Sequence, residues 1–489
     1  MFSFFPRAAL ALVCTLPLLA LDSGEPAAAH RTITTLSADA QRWFDAGLVR
    51  LYAFNIGEAR EDFAKAAKAD PKAAMPYWGL MVVETEDINL PSTPAGEIAA
   101  AKAYAATKTR AALPQERALI EATSKRFRTP GSLQQKELAF RTAMRAYVDR
   151  FPSDPDGADQ ALDAGLLVGG SFSDAQGNLT PEGARMAADA ERAHAVDPGN
   201  LGEHHYAIHF WEFANVPARA LPDADYLAGV HYEPGESHLP HMAGHIYARL
   251  GMIDRMIAVN TIAVQNDAAY FAQGTGPGQR YMQTYHDHDV NFIVYGDTSL
   301  GMDDAALAAA EDGSEDVQAH TDIRLRRNDA AAKIVPADDH FSRALLALRS
   351  GDYAGELTER GTLAKANGDK VELAYLDGER AIALKDPDGA LAALAAGYAL
   401  DRADYIGDPR SHWYAPIDEA YGAELLRTNH PTEAEHVFLD ELKRFPHDPR
   451  LLFGLVTARA ALNIDDATDR NELTRTWRGI GAITLDDLG

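Results

Sequence analysis

The sequence predicts an all-α protein in which antiparallel helix pairs stack into a solenoid. Three observations predict it. Alanine is abundant, aromatic residues make up 8% of the 489, and strand-like alternation is rare, a pattern that favours helices over sheet. Small and aromatic residues recur at fixed offsets in a unit of about 34 residues near each end of the chain. Two central segments carry histidines three and four residues apart, the spacing of one helix face.

The chain opens with Met1 to Arg7, followed by an apolar run from Ala8 to Leu21 and then Pro26-Ala27-Ala28-Ala29. A basic start, an apolar stretch and small residues at the end describe a secretory signal, expected to be cut before His30. Pro17 interrupts the run, which falls short of the ~20 apolar residues of a membrane-spanning helix. The single cysteine, Cys14, lies inside this segment. The mature chain would then have no disulfide and no thiolate ligand, and any metal would be held by nitrogen and oxygen. That combination fits a bacterial periplasmic or secreted protein. Cleavage removes one positive and two negative charges, taking the net charge from −26 to −25. Such an acidic surface argues against nucleic acid and anionic membranes as partners.

Residues 30–155 are expected to form the N-terminal repeats. Trp43, Gly47, Ala59, Phe63, Ala66 and Pro71 occupy positions 4, 8, 20, 24, 27 and 32 of one unit, the marks of a tetratricopeptide repeat. Small residues let the first helix pack closely on the second, and the proline ends the second. Residues 336–489 form the C-terminal repeats, with Gly422, Ala434, Phe438 and Pro446 at positions 8, 20, 24 and 32. Weaker pairs precede that unit: Phe341–Arg349 with Tyr353–Ala366, and Leu373–Leu384 with Pro387–Leu400. Residues 301–335 are expected to be an acidic excursion or a lid, the acidic, alanine-rich stretch Asp303–Asp322 being either a surface excursion or a helix with a solvated face.

The centre, residues 156–300, is the most distinctive part. Ten of the seventeen histidines lie between His194 and His288. One segment places His205, His209 and Glu212 on one helical face, and the other does the same for His238, His241 and His245. Sliding one segment onto the other matches His205 with His241 and His209 with His245, both 36 residues apart. That is close to one repeat, so the two faces would belong to successive inner helices and converge on the concave groove. Neighbouring helices pack ~8–10 Å apart, which lets facing imidazoles reach one ion. A third contribution is expected from His288 and Asn291, three residues apart, on the helix after Gly274–Gly278.

Residues 197–300 resemble an uncharacterised group of bacterial tetratricopeptide-repeat proteins with a histidine-rich central motif. The chain carries His205, Ile208, His209 and Glu212 of its first segment. It carries His238, Leu239, His241, Met242, His245, Ile246, Tyr247, Arg249 and Gly251 of its second. In the third, His288 matches, Asp289 stands where the pattern has asparagine, and Asn291 stands where it has histidine. The resemblance implies the repeat fold and brings no named reaction.

Imidazole and carboxylate together suit a transition metal, so His205, His209, Glu212, His238, His241, His245 and His288 are the candidate ligands. Copper or zinc suits the imidazoles, and iron or manganese gains ground if Glu212 coordinates. The alternatives are a metal-dependent enzyme, hydrolytic or oxidative, and a metal-free scaffold binding a peptide or small molecule in the groove. The chain has no G-x-S-x-G, Walker loop or dinucleotide fingerprint, which disfavours serine-nucleophile, nucleotide-hydrolysis and nicotinamide chemistry. Arg249, one turn beyond His245, could bind an anion or pair with a neighbouring Asp.

Overall fold

A computed structural model describes residues 26–489, apart from 86, 90, 91, 175, 176, 275, 367, 403–409 and 411, and without side chains at 280, 281, 282 and 284. The proposed signal therefore lies almost wholly outside the described residues. Among those residues the only β features are isolated bridges, one joining Pro26 to His231. The chain is an all-α solenoid of the tetratricopeptide type, as its sequence predicts.

The first pair is α1 (Ala38–Tyr52) and α2 (Ile56–Ala69). Ser37 caps the first by accepting from Ala40 N, and Asn55 caps the second by accepting from Glu58 N, satisfying amides that a helix start leaves orphaned. Phe63 is fully buried. A Cβ at Gly47 would come within 2.6 Å of its ring, and one at Gly79, on α3 (Met75–Val82), within 2.5 Å. Phe63 thus wedges between two helices that only glycine lets approach so closely, which is the physical content of the repeat pattern. The array continues through α4 (Pro94–Thr107), α5 (Pro114–Thr123), the single turn α6 (Lys125–Arg128), α7 (Leu133–Arg150), α8 (Pro155–Val168) and α9 (Pro181–Val196).

The central helices are α10 (Leu201–Phe213), α11 (Leu221–Ala228), α12 (His238–Arg249), α13 (Ile253–Phe271) and the long α14 (Gln279–Leu300). Asn200 caps α10 by accepting from Glu203 N. Pro240 sits in the first turn of α12, where its missing N–H leaves no helical bond unmade. Gly251 follows α12 with φ +66°, the left-handed stop expected of a glycine there.

Residues 301–335 are helical. They fold into α15 (Asp303–Ala310), α16 (Glu315–Arg324) and α17 (Asn328–Ile334), packed in succession between α14 and α18 (His340–Arg349). Ala306, Ala319, Thr321 and Ile323 are fully buried. Asp303, Asp304, Glu311, Asp312, Glu315 and Asp316 are exposed while Ala306, Val317, Ala319 and Ile323 face the stack, a helical segment with a solvated acidic face in which Asp322 is buried.

The C-terminal array is α19 (Tyr353–Lys365), α20 (Lys370–Ala383), α21 (Pro387–Asp401), α22 (Ile417–Arg427), α23 (Pro431–Arg444), α24 (Pro449–Ala461) and α25 (Ala467–Thr476). Phe438 repeats the role of Phe63, fully buried against Gly422 and Gly454. Among the described residues no helix is long and apolar enough to cross a membrane.

Candidate metal centre

The expected histidines meet, in a setting the sequence did not foretell. They do not line an open concave groove. His205 and His241 are 0% exposed, His238 2%, His245 5% and His209 7%. The groove is filled because α1 packs on α10, and α14 packs on both α12 and α2.

Two sets of three imidazoles form, each with its ligand atoms within 4.8 Å of one another: His205, His209 and His238, then His241, His245 and His288. The first joins an i, i+4 pair on α10 to the first residue of α12. The second joins an i, i+4 pair on α12 to α14. Within the pairs, His205 Nε2 lies 3.1 Å from His209 Nε2, and His241 Nε2 lies 2.9 Å from His245 Nε2.

The other ring nitrogens decide what those distances mean. His205 Nδ1 donates to the carbonyl of Tyr52 at 2.7 Å. His241 Nδ1 meets Asn260 Oδ1 at 2.7 Å, and the Asn260 amide nitrogen donates to Met256 O, so the amide oxygen is the atom turned to the imidazole. Asp289 Oδ1 is also 2.8 Å from His241 Nδ1, but neither carboxylate oxygen has a well-aligned hydrogen bond. Asn260 is therefore the aligned acceptor and Asp289 the neighbouring charge. Glu212 Oε1 is 3.3 Å from His245 Nδ1. The Tyr52 carbonyl and Asn260 Oδ1 hold the protons of His205 and His241 on Nδ1 and turn each Nε2 to the neighbouring imidazole. His241 and His245 thus bring two ring nitrogens together at 2.9 Å, close to the spacing of two ligands on one ion. A tetrahedral ion with nitrogen ligands at 2.0–2.1 Å spaces those nitrogens about 3.3 Å apart.

His238 is the second sign. Neither of its ring nitrogens has a hydrogen-bond partner, although a buried polar group normally has one. Its ring stacks on Phe54 at 5.0 Å and contacts Tyr285 at 4.5 Å. Burial, reinforced by His205, His241, His209 and His245, pushes its pKa well down. Burial likewise pushes His205 down to about 3, opposed by the Tyr52 carbonyl and assisted by His245 and His241. Both are neutral imidazoles, the form that ligates. Burial pushes the Asp289 carboxyl strongly up, with Asp267 adding and His286 and His245 opposing.

Of the predicted residues, the six histidines are brought together. Glu212 sits on the far nitrogen of His245 and outside both sets. Asn291 Oδ1 is buried without a partner. Among the described residues Arg249 pairs with no Asp: one Nη donates to Asn215 Oδ1 at 2.7 Å, while Nε and the other Nη are buried without partners there.

Sequence reasoning missed Tyr52, Phe54 and Asn260. Phe54 adopts φ +53°, costly for a bulky residue, and in doing so packs its ring at a tilt against His205 at 4.5 Å and stacks it on His238. No local pattern marks Tyr52 or Phe54, which lie about 150 residues before the histidines they touch. Asn260 had a signal. It is a polar residue on the stripe Met256, Val259, Ala263 and Val264 that α13 buries.

Two other ligand-type groups occur, His194/Glu203/His204/Asp223 and Asp316/His320/Asp339. In the first, His204 Nδ1 meets Asp223 Oδ1 at 2.8 Å and Nε2 meets Pro198 O at 3.0 Å. With both nitrogens held by oxygen atoms, that ring is an anchor rather than a ligand. In the second, His320 stacks flat on Tyr414 at 3.8 Å and Asp316 is exposed.

No family model matches the chain, and no curated protein matches it. Among solved structures, the crystal structure of the P58(IPK) TPR domain is similar over 87% of this chain and 99% of that chain. The sequence identity is 13% and the TM-score 0.20, too loose a superposition to carry anything about the site.

Proposed function

We propose that this protein is an exported tetratricopeptide-repeat protein that binds a transition metal in its interior, through the histidines of α10, α12 and α14. The observation that carries this is the convergence of two sets of three imidazoles, His205, His209 and His238, then His241, His245 and His288, each with its ligand atoms within 4.8 Å of one another. The orphaned, buried ring of His238 supports it. A cation at the first set would give His238 the partner it lacks, and burial among aromatic rings keeps competing water away. Copper or zinc suits an imidazole set, with Glu212 and Asn260 orienting rings from behind. Export rests on the composition of residues 1–29, and the bacterial histidine-motif group named above is the proposed family.

Elemental analysis of native protein purified without a histidine tag tests the reading. Stoichiometric metal is expected. In the double variant His209→Ala, His245→Ala, metal should be lost while far-ultraviolet circular dichroism stays near wild type. A metal-free native protein, or unchanged metal in that variant, defeats the proposal and leaves a peptide scaffold. Turnover assays with and without chelator then ask whether the centre is catalytic.

A further inference from the structure

Resting on that metal-binding reading, we propose that the centre holds two ions, each on its own three imidazoles, and that they are copper(I). The first part follows from how the site repeats. His205 and His209 on α10 take His238 from the next inner helix; His241 and His245 on α12 take His288 from α14. The second triad is the first moved one helix along the solenoid. In each, one histidine of the i, i+4 pair hands its Nδ1 proton to a fixed acceptor, the Tyr52 carbonyl or Asn260 Oδ1. In each, the pair's Nε2 atoms stand about one ligand–ligand spacing apart, at 3.1 Å and 2.9 Å.

The series stops on α14 for a visible reason. The α12 pair stands three and seven residues after His238, and the same steps from His288 reach Asn291 and Tyr295 rather than histidines, with Phe292 between them. It is fully buried and its ring packs 4.9 Å from His241, 5.0 Å from His245 and 5.2 Å from His288. A phenyl ring closes the second site with no donor to offer a third.

The choice of ion follows from ligand number. Each set offers three imidazoles, walled by Phe54 at the first and Phe292 at the second. Zinc in a structural site takes four ligands. Imidazole is a good ligand for copper, and three-coordination leaves the aromatic walls in place.

The test is anaerobic titration of untagged, metal-free protein with copper(I), followed by desalting and elemental analysis. Wild type should retain two copper ions per chain. His209→Ala and His288→Ala, one in each triad, should each retain one, and the two combined none. His209→Gln and His288→Gln are parallel variants should either alanine change lower helicity. One ion in wild type, lost on either single substitution, overturns the two-ion inference while preserving the metal-binding reading. Two zinc ions retained in preference to copper(I) in a direct competition overturn the choice of ion. No retained metal of any kind overturns the underlying reading itself.

Discussion

Leucine in place of Asn260 removes the acceptor that faces His241 while nearly conserving volume. Asn260 is fully buried, receives His241 Nδ1 at 2.7 Å and donates its amide to Met256 O at 2.8 Å. The substitution leaves a buried N–H without its aligned partner, at a cost of about 1–3 kcal/mol. Asp289 Oδ1, 2.8 Å from the same nitrogen but poorly aligned, can recover part of this, so the lower half of that range is expected. The functional consequence should be larger than the structural one. Without the acceptor the Nδ1 proton is no longer held in place, Nε2 is protonated part of the time, and metal affinity should fall ~10–100-fold. Asn260→Asp keeps an acceptor in place and should retain most of the affinity. Competition titration against a chromophoric chelator reads the affinity, and denaturant midpoints read the stability. If Asn260→Leu binds metal as tightly as wild type, the tautomer assignment behind the whole site is wrong.

Two further outcomes concern the fold and its response to pH. Phe63→Ala empties the wedge between Gly47 and Gly79 and should cost about 3–5 kcal/mol, read from the urea midpoint; a loss under ~1 kcal/mol would mean the repeat contact is not what holds this end together. His205 titrates near 3 in the folded protein and near ~6.5 when unfolded. As pH falls below 6.5, therefore, the unfolded state takes up a proton that the folded state refuses. Its contribution is whole above ~6.5 and lost progressively towards 3, by about 1.4 kcal/mol per pH unit. Buried carboxyls such as Glu236, pushed up to about 7 mainly by burial, act in the opposite sense. The clean comparison is metal-free wild type against His205→Gln, where the difference should shift by about 2 kcal/mol between pH 7 and pH 5. A difference that does not move with pH removes the claim that this imidazole is buried neutral.

The sequence by itself determined which residues share a face. Helical period is a local property, so the spacings within 205–212 and 238–245 and the 36-residue offset between them already put His205 with His209 and His241 with His245. Likewise Gly47 and Phe63, or Gly422 and Phe438, announced the close helix pairs. Tertiary structure alone decided that the faces are buried, that six rings divide into two threes, and which atom of each ring is left to bind. Those outcomes depend on partners far away in the chain, the Tyr52 carbonyl, Phe54 and Asn260. A hydrogen bond between helices is fixed by how they dock, and no periodicity within either one records it.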